Sequence, residues 1–136
     1  MITAVDTSVL VDILQADTRF GHASAESLRA AFAEGGIIAC DIVFAEIAGL
    51  FPTPVAASSA LSDLGLDFAA TSEAAVLVAG AAWKEYRRRG GARERVIADF
   101  LIGAHAKTQA DRLLTRDRGF YRVYYRELRL LEPKGS

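Results

Sequence analysis

The segment Ile2-Thr-Ala-Val-Asp-Thr-Ser-Val-Leu-Val11 decides the fold class of this chain. Residues 2–5 form a short apolar run, which is typical of a buried strand. The next three residues, Asp6-Thr7-Ser8, carry side-chain oxygens that cap helices, so we expect a helix through about Gln15. A strand that passes directly into a helix is the repeating unit of α/β proteins, in which helices cover a largely parallel sheet.

The rest of the chain repeats this order of strand and helix. Three more strands are predicted: a buried one at residues 37–40, a weaker one at 66–69, and one at 112–114. Helical spacing and turn residues predict helices at residues 22–33, 42–50, 71–89 and 95–109, a short helix after Pro54 that ends at Leu64, and a helical turn from Asp117. No repeat or linker interrupts the 136 residues. We therefore predict one α/β domain over residues 1–136, with a mostly parallel central sheet sandwiched by helices.

Composition excludes several classes of protein. Cys40 is the only cysteine, so neither a disulfide framework nor a cysteine-rich zinc site can form within one chain. The longest apolar run, residues 74–83, has about ten residues, whereas a membrane span needs about twenty. The N-terminus lacks the basic stretch that begins a secretory signal. We expect a soluble, cytoplasmic protein without a targeting segment or a membrane partner.

The two halves of the chain carry opposite charge. Residues 1–80 hold 2 basic and 10 acidic side chains, and residues 81–136 hold 14 basic and 7 acidic side chains. Within the basic half, residues 84–95 and 112–129 each contain six Lys or Arg against two acids. Such clusters can follow a phosphate backbone, although cations near Gly90-Gly91 are equally explained by a helix C-terminus.

Four acids stand at informative places. Asp99 is the only charge among the apolar residues of Val96-Ile-Ala-Asp-Phe-Leu-Ile-Gly-Ala-His-Ala106, and we expect it in the second turn of a helix. Asp6 and Asp117 follow predicted strands, at the sheet edge where open parallel sheets bind ligands. Glu46 is the only charge from Ile42 to Leu50. Taken singly, Asp6 and Asp117 are equally explained as helix caps, and Glu46 as a solvated side chain.

A shared cation would explain the four acids together. A buried carboxylate without a partner costs several kcal/mol or more, so it is normally paired or bound to a cation. Mg²⁺ or Mn²⁺ suits a site made only of oxygen ligands. The acids therefore favour a divalent-metal site at the carboxyl edge of the sheet.

Four segments, in this order, resemble those of a PIN-domain protein and, within that family, of a VapC-type toxin ribonuclease. They are Val5-Asp-Thr-Ser-Val-Leu-Val-Asp12, Val43-Phe-Ala-Glu-Ile-Ala-Gly49, Val96-Ile-Ala-Asp-Phe-Leu-Ile-Gly-Ala-His-Ala106 and Leu113-Leu-Thr-Arg-Asp-Arg-Gly-Phe-Tyr121. The resemblance implies a Rossmann-like sheet and the toxin of a type II toxin-antitoxin system. It also implies a metal-dependent endoribonuclease, a small VapB-type antitoxin partner, and a homodimer or a higher toxin-antitoxin oligomer.

The resemblance also implies a set of site residues. By position, the family's acidic quartet matches Asp6, Glu46, Asp99 and Asp117. Ser8 matches the hydroxyl beside the metal, and Thr115 matches the Ser or Thr before the last acid. Asp6 and Asp99 are the expected closest ligands, Glu46 is expected to bind through water or accept a proton, and Asp117 is expected farther out.

Charge adds candidate contacts to RNA phosphates at Arg93 and Arg95, just before the third segment, and at Arg116 and Arg118, within the fourth. Two other functions stay open: a non-catalytic antitoxin-binding partner that modulates DNA binding by the complex, and a metal-dependent phosphotransfer domain.

Three features are interpreted as structural. His105 lies about 240° around the helix from Asp99. Asp12 is expected to be an exposed helical acid, and the pair Trp83 and Tyr86 is expected to serve core or dimer packing.

Overall fold

The computed structural model describes residues 1–91 and 96–134. The described residues form five strands and seven helices, in the order β1 Thr3–Val5, α1 Thr7–Leu14, α2 Gly21–Glu34, β2 Ile37–Ala39, α3 Asp41–Ala48, α4 Pro54–Asp63, β3 Asp67–Phe68, α5 Glu73–Arg88, α6 Ile97–Gln109, β4 Arg112–Leu114, α7 Arg118–Tyr124 and β5 Leu130–Leu131. The predicted α/β fold is confirmed.

The five strands form one sheet in which every pairing is parallel. The spatial order is β3-β2-β1-β4-β5, so β1 lies in the centre. Thr3 of β1 lies opposite Ile37 of β2 on one side and Arg112 of β4 on the other. The chain builds one half of the sheet outward from β1 and then returns to build the other half from β4. The carboxyl ends of β1 and β4 therefore form the switch point, where open α/β sheets bind ligands.

The core lies between the sheet and the helices. All three residues of β1 and of β4 are buried. Beside them an aromatic cluster joins α5, α6 and α7 around Phe100, which is fully buried. Trp83 and Tyr86 stack with ring centroids 5.8 Å apart, and both rings contact the Phe100 ring. This contact gives the pair a core-packing role.

A glycine allows α6 and the end of α7 to approach closely. A Cβ atom built on Gly103 would lie 3.0 Å from Cε1 of Tyr121 and would overlap the ring of Tyr125. The Tyr125 hydroxyl donates a hydrogen bond to the backbone oxygen of Phe100, at 2.6 Å. A side chain at position 103 would therefore separate the helix that carries Asp99 from the segment that follows Asp117.

Two details of the fold differ from the sequence prediction. Residues 130–131 form an edge strand beside β4, where no strand was predicted. Helix α6 begins at Ile97, which places Asp99 in its first turn and not in its second. Within the described ranges, none of the helices is long and apolar enough to span a membrane.

Candidate active site

Asp6 lies at the switch point of the sheet. It follows β1 directly, and its backbone N–H donates to the Leu114 oxygen of β4, at 2.9 Å. It occupies the N-cap position of α1, but its carboxylate makes no side-chain capping hydrogen bond. The side chain is nearly buried, and its Oδ2 accepts a hydrogen bond of 2.6 Å from the Thr115 hydroxyl. The helix-cap explanation therefore does not account for this carboxylate.

Burial and neighbouring acids raise the pKa of the Asp6 carboxyl. Loss of solvent raises the pKa of Asp6 from 3.8 to about 6. Hydrogen bonds from the Thr115 hydroxyl and the Thr7 backbone oppose this rise, whereas the charges of Asp99 and Asp117 add to it. Asp99 and Asp117 are thus each close enough to Asp6 to repel its charge, and we call the three residues the acidic triad.

The other two members of the triad lie at the starts of helices. Asp99 is the third residue of α6, and its Oδ2 accepts a long hydrogen bond of 3.4 Å from the Val96 backbone. Asp117 precedes α7, and its backbone N–H donates to Thr115 Oγ1, at 2.9 Å. The Thr115 hydroxyl therefore links Asp6 to the Asp117 backbone.

Tyr121 is a residue of this site that the sequence reasoning missed. It is buried, and its pKa is raised first by burial and then by the charges of the three triad acids. Its spacing was a usable signal, because residues four apart share a helix face and Tyr121 lies four positions after Asp117.

Glu46 lies at the margin of the triad. It is exposed on α3, and its Oε1 accepts a hydrogen bond of 2.7 Å from the Thr7 hydroxyl. Its charge is not among those that raise the pKa of Asp6. The structure thus brings three of the four predicted acids together and connects the fourth to the residue that follows Asp6.

The donor atoms of this site suit a hard divalent cation. They are carboxylate oxygens that repel one another, and a cation would relieve that repulsion. The Ser8 hydroxyl is buried and makes no hydrogen bond within residues 1–91 and 96–134. Its oxygen is therefore available as a further metal ligand. In the same residues, no group of three His, Cys, Asp or Glu side chains is placed so that it could hold a metal ion by itself. A cation that keeps several waters, as Mg²⁺ does, needs few direct protein ligands.

Asp12 contradicts its predicted exposure. It is 2% exposed and accepts two hydrogen bonds from Arg116, at 2.6 Å from Nε and 2.9 Å from a terminal nitrogen. The Ser24 hydroxyl donates a third hydrogen bond to it, at 3.0 Å. A carboxylate can be buried when hydrogen bonds replace its water shell, and here two come from the charged Arg116 and one from the neutral Ser24. This pair attaches the loop that carries Thr115 and Asp117 to α1.

The four arginines predicted to contact phosphates differ in their surroundings. Arg116 uses two of its donor groups on Asp12, and its guanidinium lies 4.2 Å from the centre of the Phe20 ring. Arg118 is partly exposed and pairs with Glu132, at 2.9 Å. Arg93 and Arg95 lie outside the described residues.

His105 is buried in α6, where loss of solvent lowers its pKa, as suits a structural residue.

Comparison with known proteins agrees with this geometry. The PIN domain family matches residues 3–125. The fold is similar to VapBC2 from Rickettsia felis bound to a promoter DNA fragment, with a TM-score of 0.76 and 18% identity over 98% of this chain and 100% of that chain. It is similar to VapBC-1 from nontypeable Haemophilus influenzae, with a TM-score of 0.73 and 16% identity over 97% and 98%. A toxin-antitoxin complex from Klebsiella pneumoniae gives a TM-score of 0.62 and 18% identity over 88% and 89%.

The chain has no significant match among curated protein sequences. The family match nevertheless covers most of the chain, from β1 to the end of α7, and includes the acidic triad and Glu46. The chain therefore belongs to the PIN-domain family.

Proposed function

We propose that this chain is the toxin of a type II toxin-antitoxin module and acts as a Mg²⁺- or Mn²⁺-dependent endoribonuclease. The observation that carries the proposal is the acidic triad at the switch point of a parallel sheet. PIN domains are generally nucleases that use divalent metals. The Klebsiella pneumoniae structure with a similar fold is a toxin-antitoxin complex.

The residues of the site divide the work of hydrolysing a phosphodiester bond. Asp6 and Asp99 would hold the cation, Asp117 would add negative charge beside it, and Ser8 would offer a hydroxyl oxygen. When bound, the cation offsets charge on the phosphate oxygens and makes a water molecule more acidic.

Two further residues support this chemistry from the edge of the site. Thr115 fixes the direction of the Asp6 carboxylate by donating to one of its oxygens. Glu46, which is exposed and accepts a hydrogen bond from Thr7, would accept the proton of the attacking water.

Replacement of Asp99 tests catalysis. The Asp99→Asn variant should lose Mg²⁺- or Mn²⁺-dependent cleavage of total cellular RNA and should gain less thermal stability from the cation than the wild type. Asp63→Asn is the matched control, because Asp63 is an exposed acid at the end of α4, and it should cleave normally. A wild-type protein that cleaves no RNA, with or without either metal, would favour a non-catalytic partner or a phosphotransfer domain instead.

A small antitoxin is the proposed protein partner. The repulsion within the acidic triad would be relieved by an inserted Arg or Lys side chain as well as by a metal. Co-expression with a small adjacent reading frame should yield a complex that lacks RNA cleavage. If the chain alone does not slow growth and no small protein co-purifies, the toxin assignment fails.

Self-association is proposed through the outer face of α5. Val76 and Leu77 are exposed there at 46% and 67%, and Gly80 and Ala81 continue the apolar surface one turn later. Burial of such a face against a second copy would remove apolar surface from water. Leu77→Asp should shift a dimer to a monomer in light scattering, and a molar mass unaffected by this change would exclude the face.

The proposed location is the cytoplasm, where the RNA substrate is present.

A further inference from the structure

A groove runs along the edge of the sheet at β5. Two adjoining cavities of about 570 and 630 Å³ share Leu131, Glu132 and Lys134. The second cavity reaches the starts of α2 and α7 and includes three basic side chains. We call it the β5 groove, and its polar and aromatic lining consists of Arg19, Phe20, Arg118, Glu132 and Lys134.

The β5 groove opens beside the acidic triad. Strand β5 is parallel to β4, with Leu131 opposite Leu114, so the residues after the two strands emerge at the same edge of the sheet. The Thr115 backbone N–H donates to the Leu131 oxygen, at 3.0 Å. Arg118 follows Asp117 directly in the sequence. A polymer bound in the groove would therefore extend to the site at which hydrolysis is proposed.

The charge of the groove is positive. Arg19, Arg118 and Lys134 oppose the single acid Glu132. Glu132 pairs with Arg118 at 2.9 Å, and both side chains are partly exposed, so this ion pair contributes little stability and can exchange for a phosphate.

Phe20 organises the wall of the groove on the side of α2. The Arg19 guanidinium lies 4.9 Å from the centre of the Phe20 ring, and Arg116 lies over the same ring. Asp12 holds Arg116 in place. The Arg19 guanidinium thus packs against the Phe20 ring, and the Arg116 side chain, which is bound to Asp12, packs against the same ring.

We propose that the β5 groove binds the phosphate backbone of a single-stranded RNA beside the scissile bond, through Arg19, Arg118 and Lys134. This inference rests on the proposed ribonuclease function and adds the path of its substrate. The triad repels phosphates, so a substrate needs cations next to it to approach. An acidic peptide could also pair with these three basic side chains, but its own carboxylates would be repelled by the acidic triad beside the groove. Because the contacts are to phosphates, the groove positions RNA without reading its sequence.

Binding without cleavage tests the groove directly. The probe is a fluorescein-labelled polyuridine of about 20 nucleotides, titrated by anisotropy at about 50–200 mM salt with an Asp99→Asn protein that cannot cut it. In this background Arg19→Ala and Lys134→Ala should each weaken binding severalfold. Each should also reduce the slope of log affinity against log salt by about 0.7, the value for one lost single-strand phosphate contact.

Two variants complete the test. Glu132→Gln should strengthen binding, because it removes the one negative charge in the lining. Lys107→Ala should bind like the parent, because Lys107 is an exposed cation near the end of α6 and does not line the groove. Melting curves identify any variant that does not fold.

The outcomes separate the groove from the nuclease activity. If Arg19→Ala and Lys134→Ala keep the parent's affinity and salt slope, or if the parent does not bind the probe, the groove proposal is wrong. It is also wrong if these changes spare RNA but weaken binding of a glutamate-rich peptide. If they weaken RNA binding while the wild type cleaves nothing, the groove proposal stands and the ribonuclease proposal fails.

Discussion

Replacing Asp6 with Asn should stabilise the metal-free protein at neutral pH. The pKa of Asp6 is raised from 3.8 to about 6, so the folded protein holds this proton more tightly than the unfolded chain does. One pKa unit corresponds to about 1.4 kcal/mol, and the ionised carboxylate therefore lowers the free energy of unfolding by about 3 kcal/mol above pH 6. Asn removes the charge and keeps an oxygen that can accept from Thr115.

The sign of the pH dependence follows from the same difference. Between about pH 4 and pH 6 the folded state binds more protons than the unfolded state, so stability falls as the pH rises through this window. Asp6→Asn should lack this contribution. Its melting temperature at pH 7.5 in EDTA should exceed that of the wild type by up to about 10 °C, and the two proteins should converge near pH 4.

Melting curves from pH 4 to 8, with EDTA and then with Mn²⁺, provide the measurement. Mn²⁺ at about 100 times its dissociation constant should add roughly 2.7 kcal/mol to the wild type and much less to Asp6→Asn. Asp63→Asn, at an exposed position on α4, should follow the wild type throughout. An Asp6→Asn protein that is less stable than the wild type at pH 7.5 in EDTA would refute the reasoning, as would a difference that does not vary with pH.

Three further predictions concern the scaffold. Asp12→Ala should lower the free energy of unfolding by about 2–4 kcal/mol in urea, because Arg116 loses its buried partner; wild-type stability would contradict this. Burial lowers the pKa of His105, so wild-type stability should fall below pH 6.5 more steeply than that of His105→Leu; parallel pH profiles would count against it. Gly103→Ala should destabilise by about 1–3 kcal/mol through overpacking, whereas Gly80→Ala, where an added Cβ contacts nothing, should stabilise by about 0.5–1 kcal/mol; the opposite order would be inconsistent with the packing.

Local patterns were sufficient for the main elements of the fold. Strands β1 and β2 lie in the short apolar runs 2–5 and 37–40, which end just before Asp6 and Asp41, and β4 places two leucines after Arg112. Strand β5 has only two leucines, both half-buried, between Arg129 and Glu132. Pairing with β4 makes these two residues a strand. A segment of two residues is too short to show the alternation of apolar and polar residues from which a strand is predicted.

The same limit explains the wrong prediction for Asp12. Its burial depends on Arg116, which is 104 positions away in the sequence. Position within an apolar segment was nevertheless a usable signal, since Asp12 interrupts the run from Val9 to Leu14 much as Asp99 interrupts its own. The argument that a lone acid among apolar residues needs a partner applied to both, and for Asp12 that partner is an arginine.

The positions of the acids explain how the fold tolerates their repulsion. Asp6 stands at the N-cap of α1, and Asp99 lies in the first turn of α6. Carboxylates near a helix N-terminus are stabilised by its dipole, so each helix offsets part of the repulsion. Glu46 lies near the end of α3 and lacks this support, but it is exposed and needs less. Buried Asp6 is thus held by hydrogen bonds from Thr115 and the Thr7 backbone, and half-buried Asp99 by one from the Val96 backbone, whereas Glu46 is exposed.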